Sequence, residues 1–245
     1  MKKQIKVFLI GFILVILLFF IPLDYFLIAP GKVFNLKNIV ITQNTIEKNH
    51  FYAPSVEVFE NRYFSYFNTR LFNKLNTNLF YFLYSSVHPE VESKKLSEFI
   101  KNGTTSKEFE SSIESATNIS IYNIKYLIAK RLNSSMEEIN LKINLTSEGP
   151  SVAIALALEA LNQLSKEDIT KRLKIGAVGN IDREGNVYPV NAVKQKILSA
   201  DKANLDILFI PKKNYGEVMN VKTKVRVIPI SNLDEALDYL KLVIE

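Results

Sequence analysis

The stretch EGPSVAIALALEALNQL, Glu148 to Leu164, decides the fold. Gly149-Pro150 is a turn signal, and the apolar residues after it predict a helix over about 151–163. Ahead of the turn, Ile139, Leu141, Ile143 and Leu145 alternate with polar residues, so 138–145 reads as a half-buried strand. Downstream, Leu173 to Ile181 and Val187 to Val190 read as strands around Arg183-Glu184-Gly185-Asn186. A helix over 191–203 follows, with Asn191 as its expected cap. Leu205 to Ile210 is a strand stopped by Pro211, and Val225 to Ile228 is another. The last helix starts near Asn232 and buries Leu233, Ala236, Leu237 and Leu240. Strands and helices alternate irregularly, which predicts an α+β class with helices packed on a mixed sheet.

The front half has a different texture. Ser106 to Leu132 carries Phe109, Ile113, Ala116, Ile121, Ile124 and Ile128 near helical spacing, with Ser106 as a cap. Val56 and Val58, then Tyr63 to Phe67, read as a hairpin around Glu60-Asn61-Arg62. Asn78 to Val87 reads as a buried helix, too short to cross a membrane. Val7 to Leu23 is uncharged throughout, and Tyr25 to Ile28 continues it past Asp24. A spanning helix needs roughly 17–25 apolar residues, so 7–28 reads as one transmembrane helix. Ala29 is a poor cleavage site, with Leu27 before it and Pro30 after it, which favours a retained anchor. Lys2, Lys3 and Lys6 place the N-terminus in the cytoplasm and the rest outside the cell membrane. The expected organisation is therefore a stub and anchor over 1–28, an extracytoplasmic segment over 29–132 and a core over 133–245.

Composition narrows the chemistry. At 47% hydrophobic residues the chain fills a real core, and its lack of cysteine excludes disulfides, thiol catalysis and cysteine-bound zinc. His50 and His88 are too few and too scattered for a metal cluster, although His88 stays a minor candidate for a serine–histidine pair. The net charge of +6 is spread along the chain, which argues against nucleic-acid binding. No G-x-x-x-x-G-K-[ST] stretch exists, and no cofactor is expected.

What remains is a serine and a lysine. Ser151 sits where a turn enters a helix, whose unpaired first-turn amides and dipole favour an oxyanion. Lysine activates serine only when neutral, and burial is what lowers it from about 10.4. Lys194 shares a face with Ile197 and Leu198 and is the preferred base. Lys196, between Ala200 and Ala203, is its rival. The plainer alternatives are an N-cap serine and a snorkelling lysine.

At these residues the sequence resembles the proteolytic domain of the Lon protease family. The family's Gly-Pro-Ser-Ala-Gly box reads here Gly149-Pro150-Ser151-Val152-Ala153. Its Pro-Ile-Gly-Gly-(Leu/Ile)-Lys-x-Lys stretch reads Pro189-Val190-Asn191-Ala192-Val193-Lys194-Gln195-Lys196. VGNIDREGNVYPV between them resembles the family's Thr-Gly hairpin, and the likeness runs from about Glu138 to Leu242. It implies a Lon-type fold and a Ser151–Lys194 dyad, supported by Glu148, Gly149, Pro150, Val152, Val178 and Gly179. The front of the chain is similar to membrane-anchored Lon-like proteases, without their PDZ module. That implies an anchored, ATP-independent serine endopeptidase acting on polypeptides outside the cytoplasm, with a homo-oligomeric ring as a family habit. The chain departs from the family at several positions: Val152-Ala153 stand for Ala-Gly, Val178 for a threonine that orients the lysine, and Asn191-Ala192 for Gly-Gly. Those departures support an alternative, a weak or inactive pseudoprotease that binds peptides. A serine–lysine signal peptidase is a third reading, opposed by the long separation between anchor and serine.

Overall fold

The structure, a computed structural model, describes residues 2–18, 22–23, 25–42, 48–59, 77–95, 106–144 and 149–242. In chain order the elements are α1 Lys2–Leu18, β1 Pro22–Leu23, β2 Tyr25–Asn35, β3 Val40–Ile41, β4 Tyr52–Phe59, β5 Thr77–Asn78, α2 Leu79–Val87 and β6 Glu92–Lys95. Then come α3 Ser106–Leu132, β7 Lys142–Ile143, α4 Ala153–Leu164, β8 Ile175–Ala177, β9 Asn180–Ile181 and β10 Val187–Tyr188. The chain closes with α5 Val193–Lys202, β11 Ile207–Pro211, α6 Lys212–Val218, β12 Arg226–Ile230 and α7 Leu233–Leu242. These fall into two compact units, residues 1–29 with 57–104 and residues 30–56 with 105–245.

In the first unit, Tyr25 to Ile28 of β2 pair antiparallel with Lys95 to Glu92 of β6. Phe26, Leu27 and Ile28 are buried there. The expected membrane helix over 7–28 is therefore corrected: its last residues are strand, and α1 stops at Leu18. At 17 residues α1 is about 25 Å long. No described helix is long and apolar enough to cross a membrane. Apolarity alone does not separate helix from a buried strand, which is why the run read as continuous. The helix expected to be buried over 78–87 is α2, yet Leu83, Tyr84 and Val87 are exposed. The hairpin turn and second strand expected after Val58 lie outside the described residues.

The second unit is built on parallel strands. β12, β11, β8 and β4 neighbour one another in that order with parallel pairings, and β2 follows β4. Parallel pairing in this unit and the antiparallel β2–β6 pairing in the first give the chain strands of both senses. Side chains alternate across β11, and this divides the core. Ile207 and Phe209 join one apolar cluster with Ile154, Leu158 and Ile175. Leu208 and Ile210 join another with Val178, Val193, Ile197 and Ala200. Helix α4 thus lies on one face of the sheet and α5 on the other.

The composition of α4 explains its depth. Ala153 to Ala160 are all buried, with small alanines letting Ile154, Leu156 and Leu158 fill both sides. The one buried charge, Glu159, is fully partnered. One carboxylate oxygen faces His50 Nδ1 at 2.7 Å and accepts from Gln163 Nε2 at 2.7 Å, and the other accepts from the Phe51 amide at 2.8 Å. The Lys48 ammonium donates to the carbonyls of Asn162 (2.6 Å) and Ser165, closing the helix C-terminus. Elsewhere the last helix starts beside Asn232 as expected, and the Asn232 side chain caps it, accepting from the Glu235 amide at 2.9 Å. Asn191 does not cap α5: the cap position falls to Ala192, in a left-handed conformation at φ 58°. Among the described residues of the strand expected over 138–145, Lys142–Ile143 are β, paired with β3.

Candidate functional site

Topology places the N-terminal ends of α4 and α5, next to Ser151 and the two lysines, at the same end of the parallel strands on opposite faces of the sheet. Both α4 and α5 run toward the start of a parallel strand, α4 into β8 and α5 into β11. Their N-terminal ends therefore lie at the carboxyl ends of the strands, where open α/β sheets place their sites. The segment leaving β8, Val178-Gly179, sits between them.

Ser151 occupies the middle of a 3-10 turn, Pro150–Val152, that leads into α4. Pro150 suits the first position because it lacks an amide hydrogen there. Ser151 itself is half-buried and Val152 is buried. The turn is clamped by one glycine. The Gly179 amide donates to the Ser151 carbonyl at 2.7 Å, and the Gly179 carbonyl accepts from the Ile154 amide at 3.1 Å. Gly179 has φ +148°, and a Cβ there would meet Val187 Cγ1 at 2.7 Å, so only glycine fits. At Gly149, the turn signal before the serine, no close approach requires glycine. A Cβ on it would make ordinary contact with Ile113 at 3.5 Å. The first-turn amides are also less free than expected: Ala153 donates to the Pro150 carbonyl and Ile154 to Gly179. Glu148 lies outside the described residues.

The two lysines differ in burial, and in the reverse of the expected order. Lys194 is half-buried. Lys196 is 5% exposed, and burial pushes its amine down from 10.5 to about 8. The stripe that docks α5 explains the difference. Val193, Ile197 and Ala200 face the sheet. At 100° per residue Lys196 lies about 60° from Val193, whereas Lys194 lies about 100° from it on the other side. Among the described residues the Lys196 amine has no hydrogen-bond or ion-pair partner. Val178 is fully buried in the same cluster, and only its backbone is polar, donating to the Phe209 carbonyl at 3.0 Å. Desolvation alone therefore lowers Lys196. His50 is held by Glu159. His88 belongs to the first unit, exposed beside the Tyr84 ring, while Ser151 belongs to the second.

Sequence reasoning missed three polar residues at this end of the strands. Ser120, Asn123 and Asn180 connect α3 to β9. Their signal was faint: serine and asparagine on a long helix ordinarily face solvent.

Residues 107–243 match the family described as Lon protease (S16) C-terminal proteolytic domain. The Lon protease of Aster yellows witches'-broom phytoplasma is 28% identical over 103 residues, 40% of this chain and 13% of that protein. The archaeal Lon protease of Halobacterium salinarum is 28% identical over 127 residues, 48% of this chain and 18% of that protein. Lon protease 2 of Herpetosiphon aurantiacus is 31% identical over 94 residues, 37% of this chain and 11% of that protein. The chain thus spans less than a fifth of the length of these relatives. With more than half its residues matched, and with a serine turn and a buried lysine at one end of the parallel strands, the chain belongs to the Lon protease (S16) proteolytic-domain family.

Proposed function

We propose that this protein is a membrane-attached, ATP-independent serine endopeptidase in which Ser151 is the nucleophile and Lys196 its base. The carrying observation is Lys196, a buried residue on the helix that starts at the same end of the parallel strands as the Ser151 turn, whose amine has no partner among the described residues and is held near 8 by burial. At that value a sizeable neutral fraction exists at physiological pH, which a general base requires. Lys196 would take the Ser151 proton as the hydroxyl attacks the peptide carbonyl, then pass it to the departing amine. Water would release the acyl-enzyme by the same route. Lys194, first favoured from the sequence, remains the rival base.

Membrane attachment rests on α1. Every residue from Gln4 to Leu17 is exposed, including Val7, Phe8, Ile10 and Leu14. An apolar helix exposed on all sides suits lipid rather than water. Lys2, Lys3 and Lys6, at the N-terminal end of α1, would face anionic lipid headgroups when the helix lies on a membrane surface. Family membership supports polypeptide substrates, and a homo-oligomeric ring is proposed by resemblance to the family.

A second reading, a pseudoprotease that binds polypeptides, is favoured by Ala192. It adopts a left-handed conformation directly before the lysine helix, in a position that suits glycine. Cleavage of an unfolded protein by the detergent-solubilised chain separates the readings. Ser151→Ala and Lys196→Ala should each lose at least about a thousandfold, with Lys194→Ala within about tenfold of wild type. Equal background from all four proteins contradicts the peptidase reading.

A further inference from the structure

A buried hydroxyl on α3 has no place in the chemistry above. Ser120 is 2% exposed, and its Oγ lies 2.8 Å from Asn180 Oδ1. The same Oδ1 accepts from the Ile181 amide at 2.8 Å, which fixes it as the oxygen, so Ser120 donates. One turn along α3, Asn123 Nδ2 donates to the Ile181 carbonyl at 3.1 Å. Helix α3 therefore grips Asn180 and Ile181 through two side chains on one face. Asn180 directly follows Gly179, the residue whose amide holds the Ser151 carbonyl and whose carbonyl holds the Ile154 amide.

We infer that Ser120 is a positioning residue for the nucleophile, acting through Asn180 and Gly179 on the backbone of Ser151. This rests on Ser151 being the nucleophile. The Ser120 hydroxyl has one hydrogen and two acceptors in reach, Asn180 Oδ1 and the Ala116 carbonyl at 2.9 Å. When it turns to Asn180, the side chain of residue 180 is held and the Gly179 peptide with it. When it turns back along its own helix, that hold is released. Gly179 has no side chain to anchor it, so its orientation depends on its neighbours. Misplacing a nucleophile by about 1 Å costs on the order of a hundredfold in rate. Loss of one restraint in a chain of several should cost less, about tenfold.

The experiment follows acylation of the full chain, in detergent micelles, by a fluorophosphonate probe across pH 6–10. Wild type, Ser120→Ala, Ser120→Thr and Ser151→Ala are compared, with thermal unfolding of each. The inference expects Ser120→Ala to label about tenfold more slowly at the plateau, with its pH midpoint unmoved, because the lysine is untouched. Ser120→Thr, which keeps the hydroxyl, should recover most of the rate. Equal plateau rates for wild type and Ser120→Ala overturn this inference alone. So does a slow Ser120→Ala that the threonine fails to rescue, or whose midpoint shifts. Labelling of wild type that persists in Ser151→Ala, or no labelling at all, overturns the peptidase reading and this inference together.

Discussion

Helices α4 and α5 pack on opposite faces of one sheet and are built to different standards. In α4 every residue from Ala153 to Ala160 is buried, and its one charge, Glu159, has a partner for each oxygen. In α5 the buried set includes Gln195, Lys196 and Ser199, and the Lys196 amine has no partner among the described residues. The first helix is stabilised as a core element should be. The second holds a group that folding disfavours, as sites tuned for proton transfer commonly do. The difference separates a helix whose charge is fully partnered from one whose buried lysine is disfavoured by folding.

Three substitutions break or sharpen that contrast. The largest effect is expected in α4. Glu159→Ala leaves the buried Phe51 amide without its acceptor and empties core volume, so denaturation at pH 7 should show a loss of about 3 kcal/mol. A loss below about 1 kcal/mol would mean that the Glu159 network contributes little.

The next effect has the opposite sign, in α5. Lys196 titrates near 8 in the folded chain and at 10.5 when unfolded, so folding disfavours its ammonium form. That penalty is complete below about pH 8 and fades as pH rises toward 10.5. Lys196→Met should therefore raise stability at pH 7 by on the order of 2 kcal/mol, and the gain should shrink by pH 10.5. A gain independent of pH would place the lysine in a solvated setting and erase the contrast.

The smallest effect concerns the entry to α5. Ala192 at φ 58° sits where glycine is at ease, so Ala192→Gly should stabilise by about 1 kcal/mol, read as a rise in unfolding temperature. No change would show that the left-handed conformation is not strained in this context.

Much of the second unit was legible from the chain. The turn at Gly149-Pro150, the apolar run of α4, the stripe of α7 and the Ser106–Leu132 helix each announce themselves by local pattern. The first unit was less so, because Tyr25 to Ile28 extend an apolar run across Asp24 and only pairing with β6 reveals a strand. A second contrast follows from that. Helices α1 and α4 are both rich in aliphatic residues, yet α4 is enclosed by protein and α1 is exposed throughout Gln4 to Leu17. Apolarity states that a helix must be covered; tertiary contacts state by what.

The choice between the lysines shows the same limit at the scale of one residue. Lys194 has Ile197 and Leu198 beside it and Lys196 has Ala200, so neighbour spacing favours Lys194. Which side faces the sheet is set by Val193, Ile197 and Ala200 docking against Val178 and Leu208, partners distant in sequence. The Ser120–Asn180 contact was illegible for the same reason: it spans 60 positions.

The central claim is that Lys196 activates Ser151. The measurement that reaches it most directly is the pH dependence of Ser151 acylation in wild type, Lys194→Ala and Lys196→Ala. The account predicts a rate that rises through a midpoint near 8 in wild type and in Lys194→Ala, and a slow rate without that midpoint in Lys196→Ala. A midpoint that survives in Lys196→Ala and vanishes in Lys194→Ala would contradict it.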